Sequence, residues 1–238
     1  MKSPGIAKAG AGLLLAGLLV GNVGQTHDSE VFDCEATARQ ERFVATAVEM
    51  GLSRKDSLVL YGLSGAESID GVTGFAPAKD RRPTVARAIE SVGASQFDSA
   101  FYVEVDIQNL GGLNAVLGHT GADDVYGRMA RITEQHIESL RTDDHTCSFR
   151  HGGDEFSFVV VGAGNTQAQV EAALAAADRE IRQYIKSEGL AKIEHPKHRG
   201  DKSKSGAGIV FGVSRIGGQD QLADVFSAAD KVVEKKKM

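Results

Sequence analysis

The 238-residue sequence has no tryptophan and only two cysteines, Cys34 and Cys147. Two cysteines exclude a multi-bridge disulfide framework and a cysteine-built zinc site, and leave room for one bridge at most. An excess of positive charge is also missing. Lys and Arg total 27 against 32 Asp and Glu, for a formal net charge of −5, so nothing global points to a nucleic-acid backbone. No segment repeats another, which excludes a solenoid or array. What is there is globular: 42% hydrophobic and 25% charged residues, too apolar for a disordered chain and long enough for one domain with an appendage.

Long hydrophobic runs are scarce, and one stands out. MKSPGIAK carries two lysines and no acid, AGAGLLLAGLLVG (residues 9–21) is uncharged and apolar, and NVGQTHDSE turns polar and then acidic. That is the three-part layout of a secretory signal, with Gly24 as a small residue near a cleavage point. The run is short for a full bilayer span. Residues 1–24 are therefore expected to be a signal peptide or an N-terminal membrane anchor, with possible membrane attachment through residues 9–24. In either case lysines before the run and acids after it direct the remainder outward. Residues 25–67 read as a helical extension for packing or dimerisation. Over 35–50, Phe43, Val44, Ala47, Val48 and Met50 fall largely on one side of a helix, and 54–66 is a second helical stretch.

Further on, DGVTGFAPAKDRRP (70–83) is rich in turn formers. TVARAIESVG reads as a helix and FYVEVD (101–106) as a strand ending on an acid. NLGGLNAVLGHTG predicts a short irregular helix. Residues 122–140 form a longer helix with a buried stripe of Val125, Met129, Ile132, His136 and Leu140. CSFRHGGDEFSFVVVG (147–162) is a hairpin, 168–189 an alanine-rich helix, GIVFGVS an apolar strand, and the C-terminal stretch through EKKK a helix. Strands that alternate with helices but include one hairpin predict an α/β (α+β) fold: a mixed central β-sheet flanked by helices.

The hairpin tip, Gly152-Gly153-Asp154-Glu155, carries the chemistry. Glycine lacks Cβ, so this backbone can press against a phosphate and offer its N–H groups. Carboxylates beside phosphate repel it unless a divalent cation lies between, and magnesium completes its octahedron with one or two carboxylates plus phosphates. Asp106, closing FYVEVD, is the best second carboxylate. Taken alone, each feature has a plain structural alternative: a hairpin turn for the tip, a helix N-cap for Asp106, a solvated tail for Lys237.

The chain resembles the GGDEF domain, the diguanylate cyclase family. Gly152-Gly153-Asp154-Glu155-Phe156 is intact, and so is the upstream frame of Asp106, Asn114 eight residues later, Gly118-His119 and Asp123. DGVTGF resembles the turn that opens the domain, GIVFGVS its late strand and AADKVVEKKK its closing helix, so that the likeness covers residues 68–238. It implies magnesium-dependent condensation of two GTP into cyclic di-GMP by a homodimer. Carried over by position, Asp106, the Ile107 carbonyl and Asp154 are expected to bind metal, and Glu155 to support the metal site or deprotonate the attacking hydroxyl. Gly152 and Gly153 are expected against the phosphates, Asn114 and Asp123 on the guanine edge, and Lys237 on phosphate. His119 is expected to be structural.

The chain departs from the family pattern in several places. Leu110-Gly111 replace Phe-Lys, Ala122 replaces a glycine and Pro77-Ala78 replace Asn-Arg. The RxxD of Arg141–Asp144 lies two residues too early for the family's product-inhibition motif. GTP is a cytoplasmic metabolite, whereas the N-terminus predicts export. A second expectation therefore stands beside the enzyme: an exported, catalytically degenerate GGDEF-like domain serving as an interaction module.

Overall fold

A computed structural model of the chain describes residues 44–53, 57, 69–95, 98–140, 145–162, 164–197, 200 and 205–237. Residues divide into two compact units, Met1–Ser68 and Ile69–Met238. The expected signal or anchor at 1–24 lies outside the described residues, as do most of the 25–67 extension and Arg141–Asp144. In the first unit residues 44–49 are helical. Val44 and Ala47 are buried there, but Val48 and Met50 are 45% and 56% exposed, so the apolar side is narrower than its composition predicts. Among the described residues no helix is long and apolar enough to cross a membrane.

The second unit runs β1 (Ala76–Pro77), α1 (Ala78–Gly93), β2 (Ser99–Gln108), α2 (Leu110–Glu138), β3 (His145–Gly152), β4 (Glu155–Gly162), α3 (Gln167–Ser187), β5 (Gly208–Ile216) and α4 (Leu222–Lys237). The sheet order is β1-β3-β4-β2-β5, with β1 parallel to β3 and every other pair antiparallel. This is the mixed sheet with flanking helices that the alternation of elements predicts.

Two local features differ from the sequence reading. The stretch 70–83 is not all turn: Ala76 and Pro77 add an edge strand and α1 starts directly at Ala78. Pro83 sits inside α1, where it removes one intrahelical hydrogen bond from the first turns. Helix α2 begins at Leu110 and breaks at Gly118, whose φ of 70° and ψ of 174° are not helical. The glycine-rich irregular stretch and the longer helix are thus two segments of one element.

Side chains alternate between the two faces of β2. Phe101, Val103, Val105 and Ile107 enter the main core, where they meet Phe156, Phe158 and Val160 of β4 and the buried faces of α2 and α3. Val125, Met129 and Ile132 lie in this core as expected. His136 does not; it stands at the rim and pairs with Glu180 of α3 at 2.8 Å. On the opposite face α1 and α4 bury Val85, Ala88, Val225, Ala229 and Val233. Helix α4 lies very close to β5, because a methyl group on Gly212 would run into the Ala229 carbonyl. Strand β5 is a sheet edge, and side chains cover two of its outer backbone groups: Asp178 accepts from the Ile209 N–H at 2.9 Å and Lys236 Nζ donates to the Phe211 carbonyl at 2.8 Å.

Phe158 is fully buried and packs edge-on against Phe75 and Phe156, with ring centroids 5.6 Å away in both cases. Phe158→Ala is expected to lower unfolding free energy by about 3–5 kcal/mol, read as a shift in the urea midpoint at unchanged slope.

Candidate active site at the hairpin tip

Register builds the site. β2 pairs with β4 so that Asp106 stands opposite Glu155, and directly opposed residues are near neighbours on one face. The Ile107 N–H then donates to the Asp154 carbonyl at 2.9 Å, tying the tip to the end of β2. As a result one carboxylate oxygen from each of Asp106, Asp154 and Glu155 lies within 4.8 Å of the others. Gly152 and Gly153 take φ of 117° and 59°, values that L side chains rarely adopt. No atom lies within 4 Å of where their Cβ atoms would be, so the space over the turn is open.

Asp106 is 5% exposed. Its carboxyl is pushed up to about 6, chiefly by burial; the Lys237 ammonium opposes the shift and the neighbouring Asp154 and Glu155 add to it. Lys237, at the end of α4, places Nζ 2.7 Å from Asp106 Oδ2. Although partial burial disfavours its charged form, the bond to Asp106 holds its pKa above the ordinary lysine value. The pair is ionic at neutral pH. Lys237 is therefore not a solvated tail, and Asp106 is not the cap of α2. That cap is Asn109, in a left-handed conformation, whose Oδ1 accepts from the Gly112 N–H at 3.1 Å. Its Nδ2 donates to the carbonyls of Ile193 and Gly206 at 3.1 and 2.8 Å, which fixes the β2–α2 corner.

The remaining expected residues lie on α2. Asn114 is half-buried on the segment before the Gly118 break, while His119 and Asp123 are exposed after it. One turn beyond Asp123, the Tyr126 hydroxyl stands 3.5 Å from the Glu155 carbonyl and brings α2 against the tip. Gly111, where the family has lysine, is exposed.

Two braces around the tip escaped the sequence reading. Arg150 Nη1 donates to both carboxylate oxygens of Asp70 at 2.9 Å, Nη2 reaches the Gly153 carbonyl at 3.3 Å, and the guanidinium lies 4.4 Å over the Tyr126 ring. The opening turn DGVTGF is thereby fastened to the hairpin. On the opposite face His151 lies 3.1 Å from Glu104, 2.8 Å from the Ser157 hydroxyl and 2.9 Å from Arg81 Nη1. Arg81 also donates to the Tyr102 hydroxyl at 3.0 Å and lies 4.7 Å over Phe226, while Tyr102 bonds Glu104. The signal for the first brace was an arginine two residues before the glycine pair and an aspartate opening the turn. The second brace had none, since nothing local shows that Arg81 meets Glu104.

These carboxylates suit a hard divalent cation. They are three oxygen donors that converge beside an open glycine turn, and one of them is buried. A divalent cation held by this cluster would offset the charge of a phosphate group laid over Gly152 and Gly153.

The family model for the diguanylate cyclase GGDEF domain matches residues 67–238. The chain belongs to the GGDEF family. Among solved structures, the coiled coil and GGDEF domain of DgcB from Caulobacter crescentus, in complex with c-di-GMP, is similar at 17% identity and a TM-score of 0.55 over 83% of this chain and 93% of that one. The FimX GGDEF domain from Pseudomonas aeruginosa is 18% identical, with a TM-score of 0.53 over 72% and 95%. Diguanylate cyclase SiaD from the same organism, solved with its activator SiaC, is 18% identical with a TM-score of 0.53 over 98% and 79%. At these identities the likeness speaks for the fold. No curated protein matches the chain.

Burial alone would raise the Asp70 carboxyl, but the Thr73 N–H, Arg150 and the Thr73 hydroxyl override it and hold it below its ordinary 3.8. A depressed carboxyl contributes stability above its unfolded value and loses it as pH falls through the folded one. Asp70→Asn is expected to cost about 1–2 kcal/mol at pH 7. In melts recorded from pH 7 downward, the gap from wild type should narrow below pH 3.8.

Proposed function

We propose that the chain is a diguanylate cyclase: two copies, each holding one GTP, join the nucleotides head to tail into cyclic di-GMP and release two pyrophosphates. The convergence of Asp106, Asp154 and Glu155 beside the open glycine pair carries this reading. The diguanylate cyclase family match and the c-di-GMP complex of the similar DgcB domain support it.

Asp106, Asp154 and the Ile107 carbonyl hold magnesium, which when bound neutralises phosphate charge and favours an ionised 3′-hydroxyl. The Gly152 and Gly153 N–H groups lie against the phosphates, where a side chain would intrude. Asn114 faces the guanine N3 acceptor with its amide, and the Asp123 carboxylate accepts from N1–H and the amino group. The 3′-oxygen of one GTP forms a bond to the α-phosphorus of the other while the bond from that phosphorus to the pyrophosphate oxygen breaks. Glu155 supports the metal site or takes the hydroxyl proton. Repetition in the opposite sense closes the ring, which is why two copies must face each other. The protein's work is mostly positioning and charge neutralisation.

Incubating the full chain with GTP and magnesium should yield cyclic di-GMP and pyrophosphate, detected chromatographically. Asp154→Ala should cut the rate by more than the roughly 100-fold typical for loss of an outer-shell metal partner, with the melting temperature preserved, because Asp154 is on the turn. A folded, dimeric chain that makes no product would overturn the proposal.

The signal-like start at 1–24 and the missing positive side chain at Gly111 favour the second reading, an exported interaction module. A reporter active only in the cytoplasm, fused after Met238, separates the two. Its activity supports the enzyme facing cytoplasmic GTP, and its silence together with export of the fusion supports the module.

A further inference from the structure

Lys237 stands where a cation is wanted. Three carboxylates converge at the tip, and Lys237 Nζ touches the most buried of them at 2.7 Å, with its own side chain 32% exposed. Helix α4 delivers it from a fixed base. Val225, Ala229 and Val233 are buried, Gly212 lets the helix backbone approach β5, and Lys236 is held on Phe211 by its bond to the carbonyl and by the ring 3.9 Å from Nζ. Only the flexible arm of Lys237 spans the gap to Asp106.

A magnesium ion at about 2.1 Å from the same carboxylate oxygen would stand within about 5 Å of Nζ even on the far side of that oxygen, given the 2.7 Å ion pair. A divalent and a monovalent cation at that range in a half-buried site repel strongly. We propose that Lys237 is an exchangeable counter-ion, holding Asp106 while the site is empty and leaving when a divalent cation binds. This rests on the reading of Asp106 as a cation ligand in a GTP site. The ammonium has a natural second partner in the phosphate oxygens of an arriving nucleotide, reached by turning the side chain without moving α4. The exchange makes cation and nucleotide bind cooperatively, because each removes a cost that the other would pay alone.

The test is titration of the full, metal-free chain with Mn²⁺ in the absence of nucleotide, following loss of the free-ion paramagnetic resonance signal. Lys237→Met is expected to bind Mn²⁺ about tenfold more tightly than wild type, equivalent to about 1.4 kcal/mol. Lys237→Gln, a second neutral variant, should behave alike, and Lys237→Arg should stay within about twofold of wild type. Lys235→Met removes the same charge from an exposed neighbouring position and should also stay within about twofold, because exposed charges are screened. The proposal fails if the neutral Lys237 variants bind no more tightly than wild type, if Lys235→Met matches them, or if no variant binds Mn²⁺. Cyclic di-GMP synthesis plays no part in this readout, so the cyclase reading and the counter-ion proposal can fail separately.

Discussion

Everything at the tip follows from the register of β2 against β4. Placing Asp106 opposite Glu155, with Asp154 in the turn from β3 to β4, forces three carboxylates into one small volume. Like charges this close oppose folding, and burial of Asp106 adds to the cost. A single ammonium, from the last turn of the last helix, offsets part of it. The end of β2 and the β3–β4 turn supply the charge problem, and the C-terminal end of α4 supplies the compensation. The site therefore exists only when β2, β4, β5 and α4 are all in place.

The hairpin is braced from both faces of the sheet. Successive residues Arg150 and His151 point in opposite directions. Arg150 reaches the opening turn at Asp70 and the ring of Tyr126, while His151 enters the cluster of Glu104, Ser157 and Arg81. Two glycines at positive φ make a flexible turn in an isolated chain, since glycine has the most freedom to lose. Arg150 restrains one end of it through the Gly153 carbonyl, and the Ile107–Asp154 backbone bond restrains the other. A backbone held this way can meet a ligand without first paying to order itself.

Much of this could be read from residue order. Apolar alternation in FYVEVD and FSFVVV marked β2 and β4, and the intact pentapeptide with Asp106 eight residues before Asn114 marked the family. What could not be read was whatever depended on long separation. β1 is two residues long and exists only because β3 lies beside it. Lys237 sits in a run of three lysines, which by composition is a solvated end; its partner is 131 positions earlier in the chain, a pairing set by how α4 docks on β5. Asp106 offered two roles, cap or ligand, and Asn109 took the cap only because its left-handed backbone turns the chain there. Val48 and Met50 show the opposite error, in which helical spacing suggested a wider buried face than the chain builds.

The outer side of β5 has a consequence for handling the protein in concentrated solution. A nine-residue edge strand of mostly apolar residues is a template for another chain to add a strand. Here the Ile209 N–H is already taken by Asp178 and the Phe211 carbonyl by Lys236. An incoming strand would have to displace an acid and a base before forming its first rungs. The same α4 that carries Lys237 inward thus uses its neighbouring lysine to guard the open sheet edge against fibre-like growth.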